Sequence, residues 1–351
     1  MSGPLPIDGS VTPPWESLHG SVQGVNKTRN QDHYQVEGLG TDRAPLIMAV
    51  ADGHGSAVHA RSHVGSRYAV DLFVQEARQF ASLAQPRGEG RPPSLAWLMR
   101  YAEYSFPRQL VSAWREKVLG NWERHRPPGE PAVPEEEKLL LYGSTLVGAV
   151  LTPRVFAAWQ LGDGELTVVG EGGLVSVPLA PSEADLGDET ESLCTPKAWL
   201  RVRTHWAPVT APSRAPRLVA LSTDGLSKSF ASDKGFRQFM AGLDERLSAE
   251  GGESVRASLP EWLTKASQHS GDDTTLVAAW HTGEDPMSVA EPLSVAEPIG
   301  AAEPMGLAEP LSTAEPIGAA DPVPAAEPVG PAEPVGPVDM DDLRDPYRSE
   351  E

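Results

Sequence analysis

Near its end the chain repeats every six residues, and each copy contains a proline. Eight hexads run from Val289 to Gly336, in forms such as Val-Ala-Glu-Pro-Leu-Ser and Ala-Ala-Glu-Pro-Met-Gly. Proline lacks a backbone N–H and disfavours α-helix in the residue before it, so the repeat argues against a helix and interrupts every sheet ladder. We therefore predict a disordered acidic tail with a polyproline II bias over residues 284–351; a β-helix of hexads is the alternative.

The negative charge of the chain is concentrated in this tail. The formal net charge is −20, of which residues 284–351 contribute −14 and residues 1–283 only −6. A chain of this sign repels nucleic acid and anionic membranes, so we expect neither as a partner.

The remaining residues divide into a short leader and one domain. Residues 1–14 are rich in Pro and Gly and are predicted to be flexible, and the folded domain is predicted over residues 15–283. The single cysteine, Cys194, cannot form an internal disulfide, which favours a reducing compartment. The first residues lack the basic and apolar regions of a signal peptide, and no apolar run approaches the roughly 20 residues of a membrane span. We expect a cytoplasmic protein.

Predicted strands and helices come in blocks rather than in strict alternation. Apolar runs bounded by turn residues predict strands, and spacings of three and four apolar residues predict helices. This order favours an α+β fold with antiparallel sheets covered by helices over a doubly wound parallel sheet. The strands are Tyr34–Glu37, Leu46–Ala51, a meander of Thr145–Leu151, Val155–Leu161 and Leu166–Val169 with a possible extension at Leu174–Leu179, and then Leu218–Ser222 and Thr275–Trp280. The helices are Val64–Phe80, Ser94–Arg124 broken or kinked at Pro107, Gly235–Leu247 and Ser254–Ser267.

Five aspartates stand at the ends of predicted strands. A lone Asp-Gly pair indicates a hairpin turn, and that interpretation stays open for Asp163-Gly164. Strand ends at one sheet edge converge, so the five carboxylates would share a pocket in which they repel one another unless a cation holds them. Oxygen ligands suit hard divalent cations, whereas the sequence has no His-rich or Cys-rich cluster for zinc. The five are Asp32, Asp52, Asp163, Asp224 and Asp272.

Two residues after Asp52 add to this pattern. Gly53 has no side chain, so its carbonyl can approach a cation closely. His54 follows in the same turn, where it either acts as an acid or base or simply makes local hydrogen bonds.

The order of motifs resembles the PP2C (PPM) family of metal-dependent protein serine/threonine phosphatases, most of all its bacterial branch. The resemblance spans residues 20 to 280. The motifs that carry it are Lys27-Thr-Arg-Asn-Gln-Asp32, Val50-Ala-Asp-Gly-His-Gly55, Gly143-Ser-Thr145, Leu161-Gly-Asp163, Leu221-Ser-Thr-Asp-Gly225 and Gly271-Asp-Asp-Thr-Thr275.

The resemblance implies a four-layer αββα sandwich and hydrolysis of phosphoserine and phosphothreonine by a metal-bridged hydroxide. It implies two Mn²⁺ or Mg²⁺ ions and a third, weaker one. In this scheme Asp52 bridges the two ions, Asp224 and Asp272 hold the first, and Asp32 and the Gly53 carbonyl serve the second.

Further roles follow from the same resemblance. Asp163 helps to bind the third ion. Asp273 belongs to the metal site as a neighbour of the ligands, since the family often has Asn there. His54 is the general acid for the leaving oxygen, and the segment from Ala184 to Trp206 is the variable flap beside the active site.

One position departs from the family pattern. Many members have an arginine five residues before Asp32, and this chain has Lys27, with Arg29 two residues later. Lysine lacks the bidentate fork of arginine, so either Lys27 grips the phosphate more loosely, or Arg29 does so, or phosphate affinity is weak. The alternative function is therefore a pseudo-phosphatase, a regulatory module that binds phosphoproteins without turnover.

The implied partners are phosphorylated Ser/Thr proteins, the substrates of a Ser/Thr kinase, and we expect a monomer. The acidic tail is either a flexible tether that tunes localisation or shields the site, or an inert solubilising segment.

Overall fold

The computed structural model describes residues 15–282 apart from 39, 42–43, 85–92, 127–128, 130–132, 181–189 and 210–215. Contacts divide the chain into two units, Met1–Glu291 and Pro292–Glu351, and every described residue belongs to the first. The predicted flexible leader 1–14 and the predicted disordered tail 284–351 lie outside the described residues.

Two antiparallel sheets of five strands each form the centre of the described part. One sheet has the order β1-β10-β9-β6-β7 and the other the order β2-β3-β4-β5-β8. The strands are β1 Trp15–Val22, β2 His33–Glu37, β3 Leu46–Ala51, β4 Leu146–Leu151, β5 Val155–Leu161, β6 Glu165–Val169, β7 Val175–Ser176, β8 Arg203–Pro208, β9 Leu218–Ser222 and β10 Thr274–His281.

Helices cover the outer face of each sheet. Helices α1 and α3 pack on the β2–β8 sheet, and α6 and α7 pack on the β1–β7 sheet. The helices are α1 Ser62–Ala84, α2 Leu95–Arg100, α3 Phe106–Arg124, α4 Glu135–Leu140, α5 Asp224–Ser227, α6 Asp233–Glu250 and α7 Gly252–Ser270. None of the helices in the described ranges is long and apolar enough to cross a membrane.

Side-chain alternation along the strands explains the four layers. In β3, Leu46, Met48 and Val50 face the opposite sheet, whereas Ile47 and Ala49 face the helices. Since both faces of this strand are buried, its sequence is a continuous apolar run instead of an alternating one. The predicted αββα sandwich is confirmed.

The predicted meander is wrong in its third strand. The strand at Glu165–Val169 pairs with β9 and β7, in the other sheet from β4 and β5. Gly162 adopts a φ of +95°, which L-residues rarely adopt, and the turn that follows carries the chain from one sheet to the other.

The long helical stretch from Ser94 is divided as Pro107 predicts. A π-helical turn, Tyr101–Ser105, separates α2 from α3, whose first turn contains Pro107. Proline lacks a backbone N–H, and its ring crowds the preceding helical turn. The wider π-helical turn before Pro107 makes room for the ring.

The predicted flap lies only partly in described chain. Residues 184–189 are outside it, and the segment ends in β8, an edge strand that pairs with β5. Arg203, the first residue of β8, donates hydrogen bonds to the carbonyl oxygens of Gly162 at 2.6 Å and Leu179 at 3.0 Å. This contact ties the end of the segment to the turn that carries Asp163.

Candidate active site

The five aspartates meet at one end of the two sheets. Asp32 and Asp52 flank paired strands, since His33 of β2 lies opposite Ala51 of β3. In the other sheet, Asp224 follows β9 and Asp272 precedes its partner β10. Burial, followed by the negative charges of four neighbouring carboxylates, raises the pKa of Asp52 well above its ordinary value. These neighbours are Asp32, Asp224, Asp272 and Asp163.

Asp32 is buried, and only one of its two carboxylate oxygens has hydrogen-bond partners. Its Oδ2 accepts hydrogen bonds from the hydroxyls of Thr275 at 2.7 Å and Thr223 at 2.8 Å, whereas its buried Oδ1 has no partner. Burial raises the pKa of Asp32 to about 7, although the two hydroxyls favour its charged form. An unpartnered carboxylate oxygen in a buried position is costly, which points to an additional ligand there.

Asp224 shows the same asymmetry. Its Oδ2 pairs with the ammonium group of Lys228, the residue that directly follows α5, and its buried Oδ1 has no partner. Burial and then the Asp163 carboxylate raise the pKa of Asp224 to about 6, against the opposing effect of Lys228.

The Asp52-Gly53 turn is held tightly by the backbone. The Asp52 carbonyl accepts from the Thr145 N–H at 2.8 Å, and the Gly53 N–H donates to the Gln31 carbonyl at 3.2 Å. A Cβ on Gly53 would lie 2.7 Å from the carbonyl carbon of Ser62 and 2.8 Å from its oxygen. Only glycine fits this close approach of two backbone segments.

Asp272 and Asp273 have different surroundings. Asp272 is partly exposed and forms an ion pair of 2.6 Å with Lys27. The Asp273 side chain is fully buried, and its two oxygens accept the N–H groups of Gly24 and Gln31, both at 2.8 Å. This geometry suits Asp273 to fixing the loop before β2 and does not support it as a metal ligand.

Of the two candidate phosphate-binding cations, Lys27 lies in the acid cluster and Arg29 does not. The Lys27 ammonium group also donates to Gln31 Oε1 at 3.2 Å. Burial acts to lower the pKa of Lys27, but Asp272, Asp273 and other acids raise it overall. Arg29 is exposed, and its guanidinium contacts His63 at 2.6 Å.

His54 lies beside a second histidine. The ring centroids of His54 and His59 are 4.8 Å apart. The backbone N–H of His54 donates to the Gly143 carbonyl at 3.1 Å. Burial and the neighbouring His59 lower the pKa of His54 to about 4, although the charge of Asp224 opposes them. The imidazole is therefore neutral at neutral pH.

Comparison with known proteins decides the family. The protein phosphatase 2C family model matches residues 20–264. The chain belongs to the protein phosphatase 2C family. Asp272 lies just beyond the matched range, on the loop before β10.

Solved structures share the fold of this protein phosphatase 2C domain. A bacterial serine phosphatase matches with a TM-score of 0.51 at 14% identity, covering 77% of this chain and 99% of that chain. A bacterial serine phosphatase with an arginine-to-glutamate substitution matches with a TM-score of 0.50 at 14% identity, covering 76% and 97%. No curated protein sequence matches the chain.

The donors of this protein phosphatase 2C site fit divalent cations. Four carboxylates raise the pKa of Asp52, and Asp32 and Asp224 each have a buried oxygen without a partner; carboxylate oxygens are the ligands that hard divalent cations prefer. Among the described residues, no three His, Cys, Asp or Glu side chains are arranged to hold an ion by themselves. Asp224 and Asp272 are instead paired with Lys228 and Lys27.

Sequence reasoning missed two charged residues at this site. Lys228 stands four residues after Asp224, a helical spacing that was open to detection once Asp224 was placed on a helix. Glu165 begins β6, and its Oε2 accepts from the Ser222 hydroxyl at 3.2 Å. Burial, with the charges of Asp224 and Asp163, raises the pKa of Glu165 to about 8. No local pattern marks Glu165, because its role depends on the pairing of β6 with β9.

A separate apolar pocket of about 460 Å³ lies between α5, α6 and α7. Leu226, Phe230, Phe239 and Trp262 contribute to its lining, and the five aspartates do not. It is therefore distinct from the acid cluster.

Proposed function

We propose that this protein hydrolyses phosphoserine and phosphothreonine in phosphorylated proteins, in a reaction that depends on Mn²⁺ or Mg²⁺. One observation carries the proposal: five carboxylates, two with unpartnered buried oxygens, act on one another at the sheet ends of a protein phosphatase 2C domain. When bound, the ions supply an activated water near neutral pH and neutralise the phosphoryl oxygens.

The proposed ligands are divided as the family pattern implies. Asp52 would be a ligand of both ions, Asp224 and Asp272 would hold one of them, and Asp32 and the Gly53 carbonyl would serve the other. The close packing at Gly53 supports a fixed position for its backbone, because a Cβ there would lie 2.8 Å from the Ser62 carbonyl oxygen. Asp163 is the proposed ligand of a third, weaker ion, and the effect of its charge on the pKa of Asp224 supports this proposal, because it places the two carboxyl groups close together.

Lys27 is the proposed phosphate-binding residue. Its ammonium group lies among Asp272, Asp273 and Gln31, next to the acids, whereas Arg29 contacts His63. To bind phosphate, Lys27 exchanges part of its interaction with Asp272 for the phosphoryl oxygens.

His54 is the proposed proton donor to the leaving serine or threonine oxygen. The His54 imidazole is neutral in the free protein. To donate a proton it must first be protonated, so the negative charge of a bound phosphate has to raise the pKa of His54. Protonation of His54 then accompanies substrate binding, and the proton passes to the oxygen as the phosphorus–oxygen bond breaks.

A second function is favoured by one observation. Lys27 replaces the family's arginine and is already paired with Asp272, which weakens its hold on phosphate. A binding module that recognises phosphoproteins without turnover is therefore the competing proposal.

Hydrolysis of p-nitrophenyl phosphate separates the two. The assay compares wild type, Asp52→Asn and Asp224→Asn, with and without Mn²⁺, and uses the exposed Asp71→Asn on α1 as a charge-matched control. We expect activity that needs Mn²⁺, is lost in both cluster variants and remains in the control. Folded wild-type protein without activity under Mn²⁺ or Mg²⁺, on this ester and on a phosphothreonine peptide, would favour the binding module.

The domain limits 15–283, the monomeric state and the cytoplasmic location remain predictions. Deletion of residues 284–351 tests the tail: unchanged activity, stability and partner recovery would favour the inert segment over the tether.

A further inference from the structure

Three basic residues, Arg29, His63 and Arg67, form a cationic patch at the start of α1. The Arg29 guanidinium Nη1 lies 2.6 Å from His63 Nε2 and 3.3 Å from its Nδ1. His63 and Arg67 are four residues apart on α1 and therefore share one face of the helix. Arg29 and Arg67 are both exposed.

Positive charges lie close to His63. After burial, the positive charges of Arg29, His33 and Arg67 lower the pKa of His63. The first turn of α1 contains no acidic residue, so the helix dipole adds to the positive potential. Among the described residues, Asp71 is the acid that acts on this group, through His33, one turn beyond Arg67.

The patch adjoins the acid cluster through one side chain. Gln31 Nε2 donates to Ser62 Oγ at 2.7 Å and to the His54 carbonyl at 3.1 Å, while its Oε1 accepts from Lys27. Ser62 directly precedes His63. Gln31 therefore links the start of the cationic patch to Lys27 and to the His54 backbone, where the substrate is proposed to bind.

We propose that the cationic patch binds acidic side chains that lie close in sequence to the phosphorylated residue of a protein substrate. The inference rests on the proposed phosphatase function and adds a substrate class to it. Arginine pairs with carboxylates through its planar fork, and two exposed arginines beside an active site select for Asp and Glu in the bound segment. The patch stands out because the chain as a whole carries a net charge of −20.

The test compares three phosphothreonine peptides that differ only in their flanking residues, which are Asp, Asn or Lys. The readout is the ratio of kcat/KM for the Asp and Asn peptides, measured within each protein at low ionic strength. The proteins are wild type, the double variant Arg29→Gln/Arg67→Gln, and the double variant Arg78→Gln/Arg237→Gln. The last removes the same charge from exposed positions on α1 and α6 outside the patch.

We expect wild type to prefer the Asp peptide by about tenfold, mainly through KM, since two exposed charge pairs contribute roughly this much. The ratio falls to about twofold in the patch variant and stays near its wild-type value in the control. Added salt reduces the wild-type ratio, because exposed charges are screened.

Equal hydrolysis of the Asp and Asn peptides by wild type would overturn the proposal. An equal fall of the kcat/KM ratio in the two double variants would also overturn it. Inhibition by a single-stranded oligonucleotide that only the patch variant relieves, without a preference for Asp, would assign the patch to nucleic acid instead. If wild type hydrolyses neither peptide nor p-nitrophenyl phosphate, the proposed function fails. Fluorescence anisotropy then measures the Kd of each peptide directly. The same expected ratios, now between the Kd values of the Asn and Asp peptides, test the patch independently of hydrolysis.

Discussion

Replacing Lys228 with methionine removes the ammonium group that pairs with Asp224 and keeps most of the side-chain volume. We predict two opposite effects. The metal-free protein loses stability, since Asp224 keeps its repulsion with Asp163 and loses its counter-ion. Mn²⁺ binds more tightly, since the cation no longer competes with it for the carboxylate.

The size of both effects follows from exposure. The Lys228 side chain is 57% exposed, whereas that of Asp224 is 8% exposed, so solvent screens the pair from one side. Exposed ion pairs contribute 0 to about 1 kcal/mol, and we take the upper value because the carboxylate is buried. We therefore expect a Kd for Mn²⁺ about fivefold lower than in wild type.

Titration calorimetry with Mn²⁺ measures the affinity, and thermal unfolding with and without Mn²⁺ measures the stability. Lys265→Met is the matched control, since Lys265 and Glu261 form an exposed pair with the same spacing of four residues on α7. An unchanged Kd for Mn²⁺ in Lys228→Met, together with an unchanged melting temperature of the metal-free protein, would show that the Lys228 ammonium group neither stabilises Asp224 nor competes with the ion.

Three further predictions concern packing, pH and phosphate binding. Gly65→Ala places a Cβ against a backbone carbonyl oxygen and should lower the free energy of unfolding, measured in urea, by about 1–3 kcal/mol. Gly120→Ala places its Cβ in open space and should raise the free energy of unfolding by about 0.5–1 kcal/mol. Equal effects of the two variants would contradict the packing around Gly65. Burial raises the pKa of Glu76 on α1, so the folded state loses stability as the pH rises above 4.5. The melting temperature of Glu76→Gln should therefore gain on that of wild type as the pH rises above 4.5; a constant difference between the two melting temperatures would contradict this. Lys27→Met should lower kcat/KM for p-nitrophenyl phosphate by about tenfold or more, and Arg29→Gln by much less; the reverse order would make Arg29 the phosphate-binding residue.

Strands buried on both faces could be predicted from the sequence with accurate limits. Val155–Leu161 and Leu218–Ser222 have the same limits in the prediction and in the structure. They are apolar apart from Gln160 and Ser222 and are bounded by turn residues, so their ends are local features. The edge strands β1 and β8 were missed because their sequences, Trp-Glu-Ser-Leu-His-Gly-Ser-Val and Arg-Thr-His-Trp-Ala-Pro, mix polar and apolar residues.

Sheet membership could not be predicted from local patterns. Glu165–Val169 follows β5 after a short turn, and this spacing predicts a hairpin. Its true partner, β9, lies about fifty residues further along the chain. The choice between the two depends on the left-handed backbone of Gly162, which the sequence permits without requiring it.

In the candidate site, too, the sequence predicts some residues and not the contacts between them. The aspartates could be identified because each is attached to a predicted strand end. The partners of their side chains could not, since these contacts join distant segments. Lys27 reaches Asp272 and Arg29 reaches His63 only after folding, so these contacts could not be predicted from the local sequence.

The most direct test of the central claim is phosphate release from a phosphothreonine peptide by purified wild type and Asp52→Asn, with Mn²⁺ or with EDTA. We predict release by wild type in Mn²⁺, none in EDTA and none from Asp52→Asn in either condition. Equal release in Mn²⁺ and EDTA, or full activity in Asp52→Asn, would contradict this prediction.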